Sequence, residues 1–174
     1  MSPINIQPWL LRAQREHFAL GAFNMNSLEQ AQAIVAAAEQ ERAPVIIQIS
    51  QRTLEYVGIG NPTLGLRYLA RIGTIAAESV SAPIASHLDH AMEEQVLQLM
   101  ALGFTSAMFD GGDLPFEENI RVTKRLCERA HALGVCIEAE LGEVPRADSL
   151  GNFAAGGLTD PASLESLNFF HSYK

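Results

Sequence analysis

Strand-length and helix-length apolar patterns alternate along this chain, and the alternation limits the possible folds more than any other feature. Five short runs rich in β-branched and aromatic residues are each followed by a segment whose apolar residues recur at helical spacing. Strands separated by helices pair in parallel with right-handed crossovers. The sequence therefore predicts an α/β domain with a parallel sheet whose strands are 18–24, 45–50, 83–90, 106–110 and 135–140.

Start and stop signals bound the predicted helices. Ser27 and Gln30 have the spacing of a capping box, and Pro62 stands at the start of a second apolar-periodic segment. Gly134 closes a long helix before the fifth strand. Between Ser50 and Pro62 we predict a Gly-rich loop.

Composition and charge exclude several classes of protein. The chain has 174 residues, of which 48% are hydrophobic and 18% charged, as in an ordinary globular protein folded as one domain over 1–174. The net charge is -8, and the twelve Lys and Arg form no basic run that could bind a row of phosphates, which excludes nucleic acid as a partner. No stretch reaches the roughly 18 apolar residues of a membrane span, and the N-terminus lacks the layout of a signal peptide. We therefore expect a cytoplasmic protein.

Each predicted strand ends in a polar residue: Asn24, Ser50, His90, Asp110 and Glu140. The carboxyl ends of parallel strands lie on one rim, whether the sheet is closed into a barrel or open. We expect these side chains to converge on one site. A βα barrel and a doubly wound open sheet both fit the pattern.

The segment His87-Leu88-Asp89-His90 carries the most chemical information. It places two imidazoles and a carboxylate at the end of an apolar strand, where burial is costly without partners. A ligand or catalytic role is one interpretation, and mutual hydrogen bonding with neighbouring loops is the other. The spacing alone does not decide between them.

Carboxylates at the ends of the last two strands add a second signal. Asp110 precedes two glycines and could cap the next helix or bind a cation. Glu138 and Glu140 share one face of the fifth strand because side chains alternate with a period of two. The pair indicates a metal or cation site, or else a solvated strand end.

Five segments of the chain resemble motifs of class II, zinc-dependent fructose-bisphosphate and tagatose-bisphosphate aldolases, and they occur in the same order as in that family. The segments are GAFNMNSLEQAQAI, PVIIQIS, SHLDH, GFTSAMFDGGDLPFEENI and EAELGEV. The resemblance runs from about residue 6 to Asp160 and covers about five of the family's eight βα units. It implies an incomplete parallel TIM barrel. It also implies reversible aldol cleavage of a sugar bisphosphate to dihydroxyacetone phosphate and an aldehyde phosphate.

The resemblance also implies roles for individual residues. Asp89 corresponds to the catalytic proton donor and His90 to a ligand of the catalytic Zn²⁺. Asp110 and Glu140 correspond to a second position, for a divalent or a monovalent cation.

Asn24 and Ser50 match positions that contact the substrate in that family. The motifs do not distinguish fructose bisphosphate from tagatose bisphosphate.

The chain departs from the family pattern in two places. The family's two other zinc histidines come from motifs of later strands that this sequence lacks, so we expect an incomplete Zn²⁺ site. Asp148 lies near the position of the loop acid but without its flanking glycines.

The alternative function is therefore a catalytically inactive fragment, truncated or frame-shifted, that persists only by packing on other chains. In that case helix residues such as Leu66, Leu69 and Ile72 would lack partners. We accordingly expect a homo-oligomer or a self-associating chain.

Overall fold

The structure is a computed structural model that describes residues 3–141. Within these residues, five strands form one sheet, and six helices accompany it. The strands are β1 (Gly21–Asn24), β2 (Val45–Ser50), β3 (Ile84–Ala91), β4 (Ser106–Phe109) and β5 (Cys136–Ala139). The helices are α1 (Gln7–Glu16), α2 (Leu28–Glu41), α3 (Gln51–Val57), α4 (Pro62–Glu78), α5 (Glu93–Met100) and α6 (Phe116–His131).

The strand order in the sheet is the order in the chain, β1-β2-β3-β4-β5, and all four neighbouring pairs are parallel. A doubly wound sheet reverses its strand order at a switch point, whereas a βα barrel adds each strand beside the previous one. The topology is therefore that of part of a βα barrel. The predicted parallel barrel portion is confirmed, and the doubly wound alternative is wrong.

One apolar cluster fills the space between the sheet and the helices. Ile47 and Ile49 of β2 and Leu88 of β3 are fully buried in it, with Val35 of α2 and Leu126 of α6. Within residues 3–141, no helix combines the length and the apolar character needed to cross a membrane.

The expectation that Leu66, Leu69 and Ile72 of α4 lack partners is wrong. Leu66 and Leu69 are fully buried, and Ile72 is partly buried against the same cluster. The reason is α3, in a segment that the sequence predicted as a loop. Its Leu54 is also fully buried, and Gly65 brings α4 so close that an added Cβ would overlap the backbone of Leu54.

The predicted start of α2 is confirmed. The Ser27 hydroxyl accepts a hydrogen bond from the backbone N–H of Gln30 at 3.4 Å, as an N-cap does. The Gln30 side chain accepts from the N–H of Asn26, at 2.7 Å, rather than from the N-cap residue itself. This second bond ties the turn after β1 to the first turn of α2.

The edges of the sheet are less covered than its centre. In the described residues, β1 pairs with β2 alone and β5 with β4 alone. Phe18 and Phe23 are exposed beside an apolar groove of about 490 Å³ between β1 and α2. The groove continues along Ala33, Ile34 and Ala37 of the helix.

Candidate metal centre

The end of β3 departs from regular strand geometry at His90. Its φ is 51°, in the left-handed region, which costs about 1–3 kcal/mol for a residue with a side chain. The pairing of β3 with β4 shifts register between Leu88 and Ala91, and the N–H of Asp110 then donates to the Ala91 carbonyl at 3.0 Å. The irregularity breaks the two-residue alternation, so Asp89 and His90 are both partly exposed at the rim.

Three predicted site residues lie together at this rim. Nδ1 of His90 is 3.0 Å from Oδ2 of Asp110 and 3.6 Å from Oε2 of Glu140. One ligand atom from each residue lies within 4.8 Å of the other two. Their side chains are 36%, 20% and 10% exposed, respectively. The three strand ends thus form a partly buried cluster open on one side.

The donor atoms of this cluster fit a divalent cation. An imidazole nitrogen and two carboxylate oxygens are ligands of Zn²⁺ and of other first-row divalent metals. Two carboxylates held this close repel each other, and a cation between them removes that repulsion. The His90 side chain is 36% exposed, so solvent reaches the imidazole.

Asp110 does not cap the next helix, so that interpretation of its role is wrong. The N-cap of α6 is Pro115, which makes no side-chain hydrogen bond. Instead, Oδ1 of Asp110 accepts from the N–H of Gly112 at 3.4 Å, while Oδ2 faces His90. The turn after β4 therefore orients the carboxylate toward the cluster.

Asp89 is held at the rim by a residue that the sequence interpretation missed. Nε2 of Gln48 donates to Oδ2 of Asp89 at 2.9 Å, across neighbouring strands. Side chains alternate along β2, so Gln48 lies on the same face as Ser50. This alternation is the sequence feature that could have identified Gln48 as a site residue. Ser50 is the register partner of Asp89, and Asn24 that of Gln48.

Ser50 belongs to a hydrogen-bond network at the ends of β1 and β2. Its Oγ is 3.0 Å from Oγ1 of the buried Thr53, which donates to Oδ1 of Asn26 at 2.5 Å. The network joins the turn after β1 to the first turn of α3 and restricts the rotamer of Ser50. Asn24, at the exposed end of β1, was also predicted as a site residue.

His87 contacts other strands rather than its own segment or a loop, which neither interpretation of that segment predicted. Its Nδ1 is 2.7 Å from Oγ of Ser106, and its Nε2 is 3.9 Å from Oε2 of Glu138. Burial lowers the pKa of His87, so the buried imidazole is neutral near pH 7. Desolvation, and then the Asp89 carboxylate, raise the pKa of Glu138, and the effect is weakened by solvent because 63% of the side chain is exposed.

Comparison with known protein families identifies the family of this chain. The family model for class-II fructose-bisphosphate aldolase matches residues 4–168. The chain belongs to the class II fructose-bisphosphate aldolase family. The resemblance drawn from the motifs is thereby confirmed.

Curated members of the family align with most of this chain. A fructose-bisphosphate aldolase of Streptococcus pneumoniae is 38% identical over 146 residues, which are 83% of this chain and 48% of the relative. One from Geobacillus stearothermophilus is 41% identical over 147 residues, 83% of this chain and 49% of the relative. The chain thus spans about half the length of these relatives.

Solved aldolase structures have the same arrangement of strands and helices. The YdjI aldolase of Escherichia coli K12 superposes with a TM-score of 0.78 at 28% identity, over 96% of this chain and 58% of that one. The fructose-bisphosphate aldolase of Campylobacter jejuni gives a TM-score of 0.68 at 27% identity, over 80% of this chain and 48% of that one. Asp148, the candidate loop acid, lies outside the described residues.

Proposed function

We propose that His90, Asp110 and Glu140 hold a divalent cation, Zn²⁺ in the first place, at the centre of a class II aldolase site. The observation that carries the proposal is the convergence of their donor atoms within 4.8 Å of one another. When bound there, such a cation polarises a substrate carbonyl and stabilises the negative charge that develops on its oxygen. The three donors are close enough to share one ion, so we propose one position rather than two.

Asp89 is our proposed proton-transfer residue. Gln48 holds one of its carboxylate oxygens at 2.9 Å, which fixes the orientation of the group beside the metal ligands. A general acid or base must lie within hydrogen-bond reach of the proton that it moves, and a fixed carboxylate at the rim meets that need.

The proposed substrate is a sugar bisphosphate, cleaved to dihydroxyacetone phosphate and an aldehyde phosphate. The names of the curated relatives support this substrate class. Asn24 and Ser50 would contact the substrate with their amide and hydroxyl groups. Thr53 and Asn26 keep the Ser50 hydroxyl at the rim.

Elemental analysis of the purified chain, combined with an aldol-cleavage assay on fructose and tagatose bisphosphates, tests the proposal. We expect about one equivalent of divalent metal, and we expect its loss in His90→Ala. Asp89→Asn should keep the metal and lose turnover. His131→Ala, on the exposed end of α6, is the matched histidine control.

Each half of the proposal can fail separately. Metal retained in His90→Ala at the wild-type level contradicts the ligand assignment. Metal binding without cleavage of either bisphosphate contradicts the proposed activity and leaves the metal centre standing. Equal turnover by Asp89→Asn and the wild type contradicts the role of Asp89.

We also propose that the chain associates with further copies of itself. The supporting observation is the apolar groove beside β1, where Phe18 and Phe23 are exposed next to a strand edge. Exposed apolar surface at an unpaired edge favours association. Light scattering should report a mass above 18.9 kDa, and a monodisperse monomer contradicts the proposal.

A further inference from the structure

A buried asparagine on α6 bonds to the backbone of one proposed metal ligand. Asn119 is 3% exposed, and its Nδ2 donates to the backbone carbonyl of Glu140 at 2.9 Å. Its Oδ1 accepts from Oγ1 of the buried Thr123 at 3.1 Å. Both ends of the amide are therefore used, and the Glu140 carbonyl, which can only accept, requires the NH₂ end to face it.

The same amide packs against the residue that follows another proposed ligand. Gly111 comes directly after Asp110, and a Cβ added there would overlap the side-chain amide of Asn119. The φ of Gly111 is outside the left-handed region, so the position does not need glycine for its backbone conformation. It needs glycine for space, because Asn119 occupies the volume of a side chain.

Regular pairing of β4 with β5 stops just short of Asp110 and Glu140. The register of β4 with β5 ends at Phe109 and Ala139, one residue before each ligand. Asp110 is tied back to β3 through the carbonyl of Ala91. Asn119 supplies a connection on the other side, between the turn after Asp110 and the backbone of Glu140.

We propose that Asn119 and Gly111 form a clamp that sets the separation of the Asp110 and Glu140 carboxylates. Asn119 is thus a positioning residue for the metal centre, and Gly111 provides the space that it needs. The role of the clamp in metal binding rests on the proposed metal centre. The effect of the clamp on the backbone of Glu140 is independent of that proposal. Partners that orient metal ligands typically change metal affinity by about 10–100-fold when they are lost.

Cobalt titration of the full chain, followed by the visible absorption of bound Co²⁺, tests the clamp. Asn119→Ala removes the bond to Glu140, and Gly111→Ala displaces the Asn119 amide, so each should weaken Co²⁺ binding at least about tenfold. In the double variant Gly111→Ala/Asn119→Ala, the new Cβ at position 111 occupies space that the Asn119 amide no longer fills. Its affinity should therefore equal that of Asn119→Ala, which is a strongly non-additive result.

Gly73→Ala is the matched glycine control. An added Cβ there lies 3.6 Å from Cε of Met25, an ordinary contact on α4. We expect wild-type Co²⁺ affinity and an unchanged absorption spectrum. Wild-type affinity in Gly111→Ala, or additive losses in the double variant, would overturn the clamp.

Hydrogen exchange of the metal-free chain separates the clamp from the metal centre. Peptides that cover Cys136–Leu141 should exchange faster in Asn119→Ala and in Gly111→Ala than in the wild type, and at the wild-type rate in Gly73→Ala. If the wild type binds no Co²⁺ but shows this pattern, the proposed metal function fails and the clamp stands. Unchanged exchange in both clamp variants overturns the clamp whatever the metal result.

Discussion

The central strands β3 and β4 and the edge strands β1 and β5 differ sharply in burial. All four residues of β4 and the first five of β3 are buried, whereas three of the four residues of β1 are exposed and none in β5 is buried. The central strands have neighbours on both sides and helices on one face. An apolar strand sequence is thus buried only where neighbouring strands and helices are present to cover it.

The same contrast runs through the site. His90 and Asp110 follow β3 and β4 and are linked through the backbone bond from Asp110 to Ala91. Glu140 follows the edge strand β5, and a side chain from α6 bonds to its backbone. The proposed metal centre would therefore combine two residues placed by the sheet with one whose backbone is bonded to a helix side chain.

The largest effect that we expect separates the covered centre from the open edge. Leu69→Ala should lower the free energy of unfolding by about 2–5 kcal/mol, because the side chain is fully buried. Phe23→Ala, on β1, should cost roughly 1 kcal/mol, because 49% of that residue is already exposed. Urea unfolding followed by circular dichroism measures both. Equal losses for the two variants would show that β1 is as well covered as α4.

A smaller effect concerns pH and the buried imidazole of central strand β3. Burial lowers the pKa of His87 below its ordinary value of 6.5, so below that pH the unfolded chain binds a proton that the folded chain does not. Stability should therefore fall as pH decreases from about 6.5 toward the lowered pKa, by at most about 1.4 kcal/mol per pH unit from this residue.

Urea midpoints of the wild type and His87→Gln, measured from pH 8 to pH 5, check this prediction. The variant should lose less stability than the wild type over the acidic part of the range, even if its stability at pH 8 is lower. Parallel curves for the two proteins would show that His87 titrates alike in the folded and unfolded chains.

Much of the fold could be predicted from the sequence because each strand and most helices carry their own local signal. The alternation of periods gave the parallel sheet, and Ser27 gave the start of α2. The helix α3 was missed because its seven residues are too few to show a helical period, and its buried positions are only Thr53 and Leu54. What makes it a helix is packing against α4, which a local pattern does not contain.

The sequence predicted that the candidate site lies at the ends of the strands, but it did not predict which side chains contact one another there. Asp110 and Glu140 could be assigned to one rim because parallel strands end together. The alternation in β2 places Gln48 on the rim face, but its partner Asp89, like the partner of Asn119, lies more than 20 residues away in the chain. The left-handed turn at His90 is likewise set by the register shift between β3 and β4.

Anomalous diffraction from crystals of the chain grown with Zn²⁺ tests the central claim most directly. We expect one peak at the zinc edge, about 2.0–2.2 Å from a ring nitrogen of His90 and from carboxylate oxygens of Asp110 and Glu140. The same crystals of Glu140→Gln should show a weaker peak. A peak at other residues, or no peak in crystals that contain Zn²⁺, would contradict the proposed metal centre.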